Sequence, residues 1–158
     1  MLREATNARQ IPARMCRLLL CVPLAILAPA PLAAQETKGI RVIVSADNPV
    51  EKLERPEVVR MFLGQATSWR NGTKARPVDQ SMTSLVRKDF SSSVLRQSLL
   101  VVKNYWQQQI FAGRAEPPPV RDTDARVVEF VLATPGAIGY VSEGYAYPKG
   151  VKALAVSE

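Results

Sequence analysis

The strongest chemical feature of the sequence is the hydroxyl-rich run Ser81-Met82-Thr83-Ser84, with Asp79 just before it and Arg87 just after. Placed at the start of a helix, such a run meets backbone N–H groups that have no partner within the helix and a partial positive charge. Serine and threonine hydroxyls add neutral donors, and Arg87 adds a charge-assisted one, so the set suits a small anion. Asp79 has two uses here: it can accept from a protonated oxyanion or orient Arg87. The same hydroxyls also serve as ordinary helix caps, which is their commoner employment. A second polar group, Ser45, Asp47 and Asn48, follows a β-branched run and precedes Pro49. It sits where a strand ends, a frequent ligand position in α/β sheets, and it equally forms a turn. Gly139 stands beside Tyr140 and either lines a cleft or lets neighbouring backbone approach closely.

The composition removes whole classes of chemistry. The chain has no histidine, and its only cysteines, Cys16 and Cys21, lie in the first 34 residues. Serine–histidine and cysteine–histidine arrangements are therefore excluded. The commonest metal ligands are missing too, so no metal site is expected. No pair of carboxylates has a spacing that marks acid–base work, and no Gly-rich nucleotide loop is present. Neither an enzyme nor a cofactor is expected. The net charge is +7, of which Arg3, Arg9, Arg14 and Arg17 against Glu4 contribute +3, leaving +4 for the remainder. That mild excess favours small anions or simple solubility. It lacks the clustered Lys/Arg with interleaved aromatics that nucleic-acid binding requires.

The first 34 residues read as a secretory signal peptide: a basic leader, an apolar run from Leu18 to Leu32, and small residues before Gln35. The apolar run is short for a membrane span and is broken by Pro23, Pro29 and Pro31. Leu20 before Cys21 argues against lipidation. The expected mature chain, 35–158, is periplasmic, has no disulfide, and is long enough for one domain that relies on its core.

The elements that must position the candidate residues follow from pattern. Gly39 to Ser45 is a β-branched strand. Glu54-Arg55-Pro56-Glu57 opens a helix with Val58, Val59, Phe62 and Leu63 on its apolar side, and Gly64 stops it. Asn71-Gly72 marks a tight turn, and Arg76 to Gln80 a short strand. Val86, Phe90 and Val94 share one helical face; Leu99, Val102, Trp106 and Ile110 repeat the spacing in a second segment. Glu116 to Pro119 is an extended connector. Asp122-Thr123-Asp124 caps a helix that buries Val127, Val128, Val131 and Leu132. Pro135-Gly136 then reverses the chain into a buried central strand, Ala137 to Val141, and Val151 to Val156 forms the last strand. This alternation predicts an α/β domain, three-layered, with a mixed sheet.

Several of these stretches resemble phosphate ABC transporter substrate-binding proteins of the type II periplasmic binding fold. The resemblance rests on Arg60-Met61-Phe62-Leu63-Gly64, Trp69, Gly72, Phe111-Ala112-Gly113 and Pro135-Gly136-Ala137-Ile138-Gly139-Tyr140-Val141, in that order. It implies a periplasmic-binding-protein-like lobe, phosphate or a similar anion as ligand, and an ABC permease as partner. The family closes two lobes over its anion, whereas this chain has length for one. The family's Ser-Gly-Thr loop corresponds to Asp79-Gln80-Ser81-Met82-Thr83-Ser84, which contains no glycine. A single lobe leaves one face uncovered, so a second expectation is a scaffold that engages another envelope protein or a second copy of itself.

Overall fold

The computed structural model describes residues 39–158, so the signal-peptide expectation lies outside the described residues. A four-stranded mixed sheet runs through the middle in the order β3, β6, β1, β7, where β1 is Ile40–Ser45, β3 Arg76–Pro77, β6 Ala137–Ser142 and β7 Val151–Ala153. Strand β6 pairs antiparallel with β1 and parallel with β3. Five consecutive residues of β6, Ala137 to Val141, are buried, as expected for a strand covered on both faces.

Helices cover both faces, which makes three layers. On one face, α1 (Arg55–Phe62), α2 (Leu85–Phe90) and α3 (Leu99–Phe111) close over Val42, Val44, Ile138 and Tyr140, with Phe62, Phe90, Val102 and Trp106 in the same cluster. On the other, α4 (Asp124–Ala133) packs Val127, Val128 and Val131 against Ile43, Ala137 and Val141. Alternate residues of β1 and β6 thus go to opposite faces, which is the period-two pattern of a strand.

The helix ends follow the sequence signals. Ser84 caps α2 by accepting from the Arg87 N–H, and Thr123 caps α4 by accepting from Arg126. Helix α1 begins with a capping box between Glu54 and Glu57 and has proline in its first turn. Gly136 has φ +76°, and a Cβ built there would overlap the carbonyl oxygen of Lys74, so the reversal into β6 requires glycine.

Three expectations need correction, and one helix carries an irregularity. The strand read as Arg76–Gln80 is divided: β3 joins the main sheet, while β4 (Asp79–Gln80) pairs in parallel with β5 (Val120–Arg121). The last strand is likewise divided into β7 and β8 (Ala155–Ser157), which pairs with β2 (Lys52–Glu54), a strand too short to show a pattern. Ile110 and Leu132 are exposed, although both keep the apolar spacing of their helices. Helix α2 passes into a π-helical segment, Ser91–Leu95, that ends at Arg96 in the left-handed conformation.

Candidate functional site

Asp79 and Arg87 form a buried ion pair. Arg87 Nη2 donates to Asp79 Oδ2 at 2.9 Å, with Arg87 only 3% exposed and Asp79 8%. Arg87 Nη1 donates to Ser91 Oγ, one turn further on, at 2.9 Å. The carboxylate of Asp79 also accepts from the Gln80 N–H at 2.8 Å and from the Tyr140 hydroxyl. Arg87 Nε is buried and has no acceptor among the described residues. Burial pushes the Asp79 carboxyl up from its ordinary range, and Arg87, Tyr140 and Gln80 offset only part of that rise. Burial, with Asp79 beside it, raises the Tyr140 hydroxyl as well, so it stays protonated and donates.

The surrounding elements fix these groups tightly. Tyr140 projects from the central strand, and its ring stacks parallel on Phe90 of α2 at 3.9 Å. Gln80 donates to Asp124 Oδ1 at 2.8 Å and to the Tyr140 carbonyl at 3.1 Å, and its Oε1 accepts from the Ser84 hydroxyl at 2.8 Å. Asp124 accepts in turn from the Ser142 N–H at 3.2 Å and from the Ser142 hydroxyl. The polar chain Ser142, Asp124, Gln80, Ser84 therefore ties α4 and β6 to the start of α2.

Ser84 is already engaged: its Oγ accepts from Arg87 N–H at 3.3 Å and donates to Gln80 Oε1. Ser81 and Thr83 pair with each other at 3.0 Å in the turn above, where Thr83 is exposed and Ser81 half-buried. Asp79, Ser84 and Arg87 are thus linked beside Tyr140 toward the carboxyl end of β6, while the hydroxyls of Ser81 and Thr83 bond only to each other in the adjoining turn.

Ser45 and Asn48 do not join them. Val42 lies opposite Tyr140 and Val44 opposite Ile138, so the antiparallel course of β1 carries Ser45 to the other end of β6. Three residues of strand separate Ser45 from the level of Tyr140, or roughly 10 Å. There Ser45 and Asn48 line a cleft of about 280 Å³ with Trp69, Asn71, Thr73 and Gly136. Their oxygens are used in turns: Ser45 Oγ accepts from Asp47 N–H at 3.3 Å and Asn48 Oδ1 from Val50 N–H at 2.9 Å. Gly139 lines neither place. A Cβ there would lie 2.6 Å from Val127 Cγ1 and 2.9 Å from Val78 Cγ1, so its role is to let α4 and the Val78 link between β3 and β4 close on β6.

Sequence reasoning missed Gln80, Ser91, Asp124 and Ser142 as parts of the network. The four-residue spacing of Arg87 and Ser91 was the available signal; the others come together only through the sheet.

A family model described as a PBP superfamily domain matches residues 37–156. The chain belongs to the PBP superfamily. No match is found among curated protein sequences. Among solved structures, the chain is similar to an ABC-type phosphate transport receptor from Vibrio cholerae, at 24% identity and a TM-score of 0.59, over 75% of this chain and 46% of that one. It is similar to PstS from Borrelia burgdorferi at 19% identity and 0.58, over 75% and 47%. A Clostridium perfringens structure, described as a phosphate ABC transporter substrate-binding protein with bound phosphate, matches at 21% identity and 0.59, over 75% and 44%. At these identities the likeness is one of fold, and the chain spans less than half the length of each of these structures. Among the described residues, no group of three or more His, Cys, Asp and Glu is placed to hold a metal.

Proposed function

We propose that this member of the PBP superfamily is a periplasmic solute-binding-like protein that holds phosphate or a similar oxyanion for an ABC transporter, with the signal peptide removed near Gln35. The observation that carries the reading is Arg87 Nε: a buried cationic donor without an acceptor, on the guanidinium that pairs with Asp79. A buried donor left unmade costs about 1–3 kcal/mol, and an oxyanion oxygen would satisfy it. Ser81 and Thr83, which now bond only to each other, would turn their hydroxyls to the ligand. The names of the Vibrio cholerae and Clostridium perfringens structures support phosphate as the anion.

Isothermal titration of the folded protein with phosphate and with sulfate tests this. A single lobe leaves water in the site, so the expected affinity is weak, roughly millimolar to high micromolar, and falls with added salt. Arg87→Ala should abolish binding and Ser84→Ala should weaken it in part. No heat at millimolar ligand would remove the proposal. Submicromolar binding that ignores salt would require a second lobe, from a dimer mate or another chain.

One observation favours a second reading, that of an interaction module without a small ligand. Met82 and Leu85 are 46% and 58% exposed at the edge of the turn, and Leu100 and Val101 are exposed at the start of α3. Apolar side chains left uncovered mark contact with a partner where they form one continuous patch. A dimer by light scattering, lost in Leu85→Lys, would favour that reading; a monomer that binds phosphate would count against it.

A further inference from the structure

We propose that the groove around the outer edge of the four-stranded sheet is a second ligand site, for a small organic anion with an apolar or aromatic body. Strand β3 is the edge strand, and a groove of about 610 Å³ lies against it. That volume is within the roughly 300–1,000 Å³ usual for small-molecule sites. Met61 of α1 and Trp106 of α3 line it from one side of the sheet, Phe130 of α4 from the other, and the Pro117–Pro119 segment completes the wall. Its polar groups are mainly cationic: Lys74, Arg76 and Arg114, against the single carboxylate of Glu116.

Lys74 and Arg76 flank buried Ala75, and both are exposed and line the groove. Among the described residues, none of the three cations is engaged in an ion pair. Arg114 comes from a different segment, past the end of α3, and lines the same groove. An apolar wall with a few polar groups of one sign selects an anion by charge and its body by shape. Positive residues and proline on an edge strand also discourage pairing with another sheet, which accounts for Arg76 and Pro77. It does not account for Arg114 or for aromatic walls on both sides of the strand. The groove is distinct from the Asp79–Arg87 site and shares no residue with it, so this site stands or falls independently of the proposed oxyanion site.

The test is a ¹H–¹⁵N NMR titration of the protein with 1-naphthoate, with 1-naphthalenemethanol as the uncharged control. The proposal expects naphthoate to shift the amides of Lys74, Ala75 and Arg114 and the Trp106 indole, and to do so equally in saturating inorganic phosphate and in sodium chloride of the same ionic strength. The alcohol should bind about tenfold more weakly, as should naphthoate to the double variant Arg76→Gln/Arg114→Gln, the loss expected when charge-assisted contacts at a partly open site are removed. The double variant should keep the parent melting temperature, since both side chains are exposed. Three results would overturn the proposal: equal binding of acid and alcohol, shifts confined to other residues, or no shift at millimolar naphthoate. The last would leave the charges as guards of the sheet edge.

Discussion

Removing the carboxylate of Asp79 should harm the protein more than removing the guanidinium of Arg87. In Asp79→Ala the guanidinium stays buried with Ser91 as its one remaining side-chain acceptor, and its Nε is already without one. Arginine cannot shed its charge, so the expected cost is that of an uncompensated buried ion, about 3–5 kcal/mol. In Arg87→Met the carboxylate keeps the Tyr140 hydroxyl and the Gln80 N–H as donors. Burial already raises its pKa, so it can take up a proton instead of remaining charged. The cost then falls to lost hydrogen bonds and altered packing, about 1–2 kcal/mol. In a domain of this size each kcal/mol is worth roughly 3–6 °C of melting temperature. Asp79→Ala should therefore fall by roughly 10 °C or more, and Arg87→Met by less than roughly 10 °C. Urea denaturation at pH 7, followed by tryptophan fluorescence and extrapolated to water, measures both free energies. The double variant Asp79→Asn/Arg87→Met should recover part of the Asp79→Ala loss, because no buried charge remains. Equal costs, or a larger loss for Arg87→Met, would refute the reasoning.

Gly136→Val should be among the most damaging single changes. It forces a β-branched residue to φ +76° against the Lys74 carbonyl, at a cost on the order of 1–3 kcal/mol or more, and a melt equal to the parent's would mean the turn is misread. Asp79 should also leave a signature in pH. Its carboxyl is raised in the fold, so the pH-linked part of its contribution is complete below the unfolded value of about 4 and is lost as pH rises through the folded value, while its pairing with Arg87 persists. Melting temperatures of the parent minus those of Asp79→Asn should fall over that window; a flat difference would contradict the raised carboxyl. Mass spectrometry of the exported protein should find an amino terminus near Gln35, and an intact leader in a membrane fraction would overturn the export reading.

What the sequence shows well is local. The Pro135-Gly136 reversal, the apolar run of β6, and the caps at Ser84 and Thr123 are all set by residues within a few positions of one another. The limits of the buried helix faces are less legible: Ile110 and Leu132 keep the apolar spacing but are exposed. Strand direction is not legible at all. Ser45 at a strand end and Ser81 at a helix start each look like a ligand position, and only the antiparallel pairing of β1 with β6 puts them at opposite ends. The Asp79–Arg87 partnership could be anticipated as one of two uses for Asp79. Its burial under Phe90 and Tyr140, and the link through Gln80 to Asp124 and Ser142, depend on contacts between residues far apart in the chain. The division of Arg76–Gln80 between two sheets has the same origin, since β5 arrives about forty residues later.

The central claim is that an oxyanion completes the hydrogen bonding of Arg87. Its Nε–H can be observed directly in a ¹H–¹⁵N spectrum of the arginine side chains, assigned through loss of the signal in Arg87→Lys. Titration with inorganic phosphate should move that resonance progressively, with a midpoint in the roughly high-micromolar to millimolar range, while the exposed arginines barely respond. A resonance that stays in place up to tens of millimolar phosphate, in protein shown to be folded, would contradict the account.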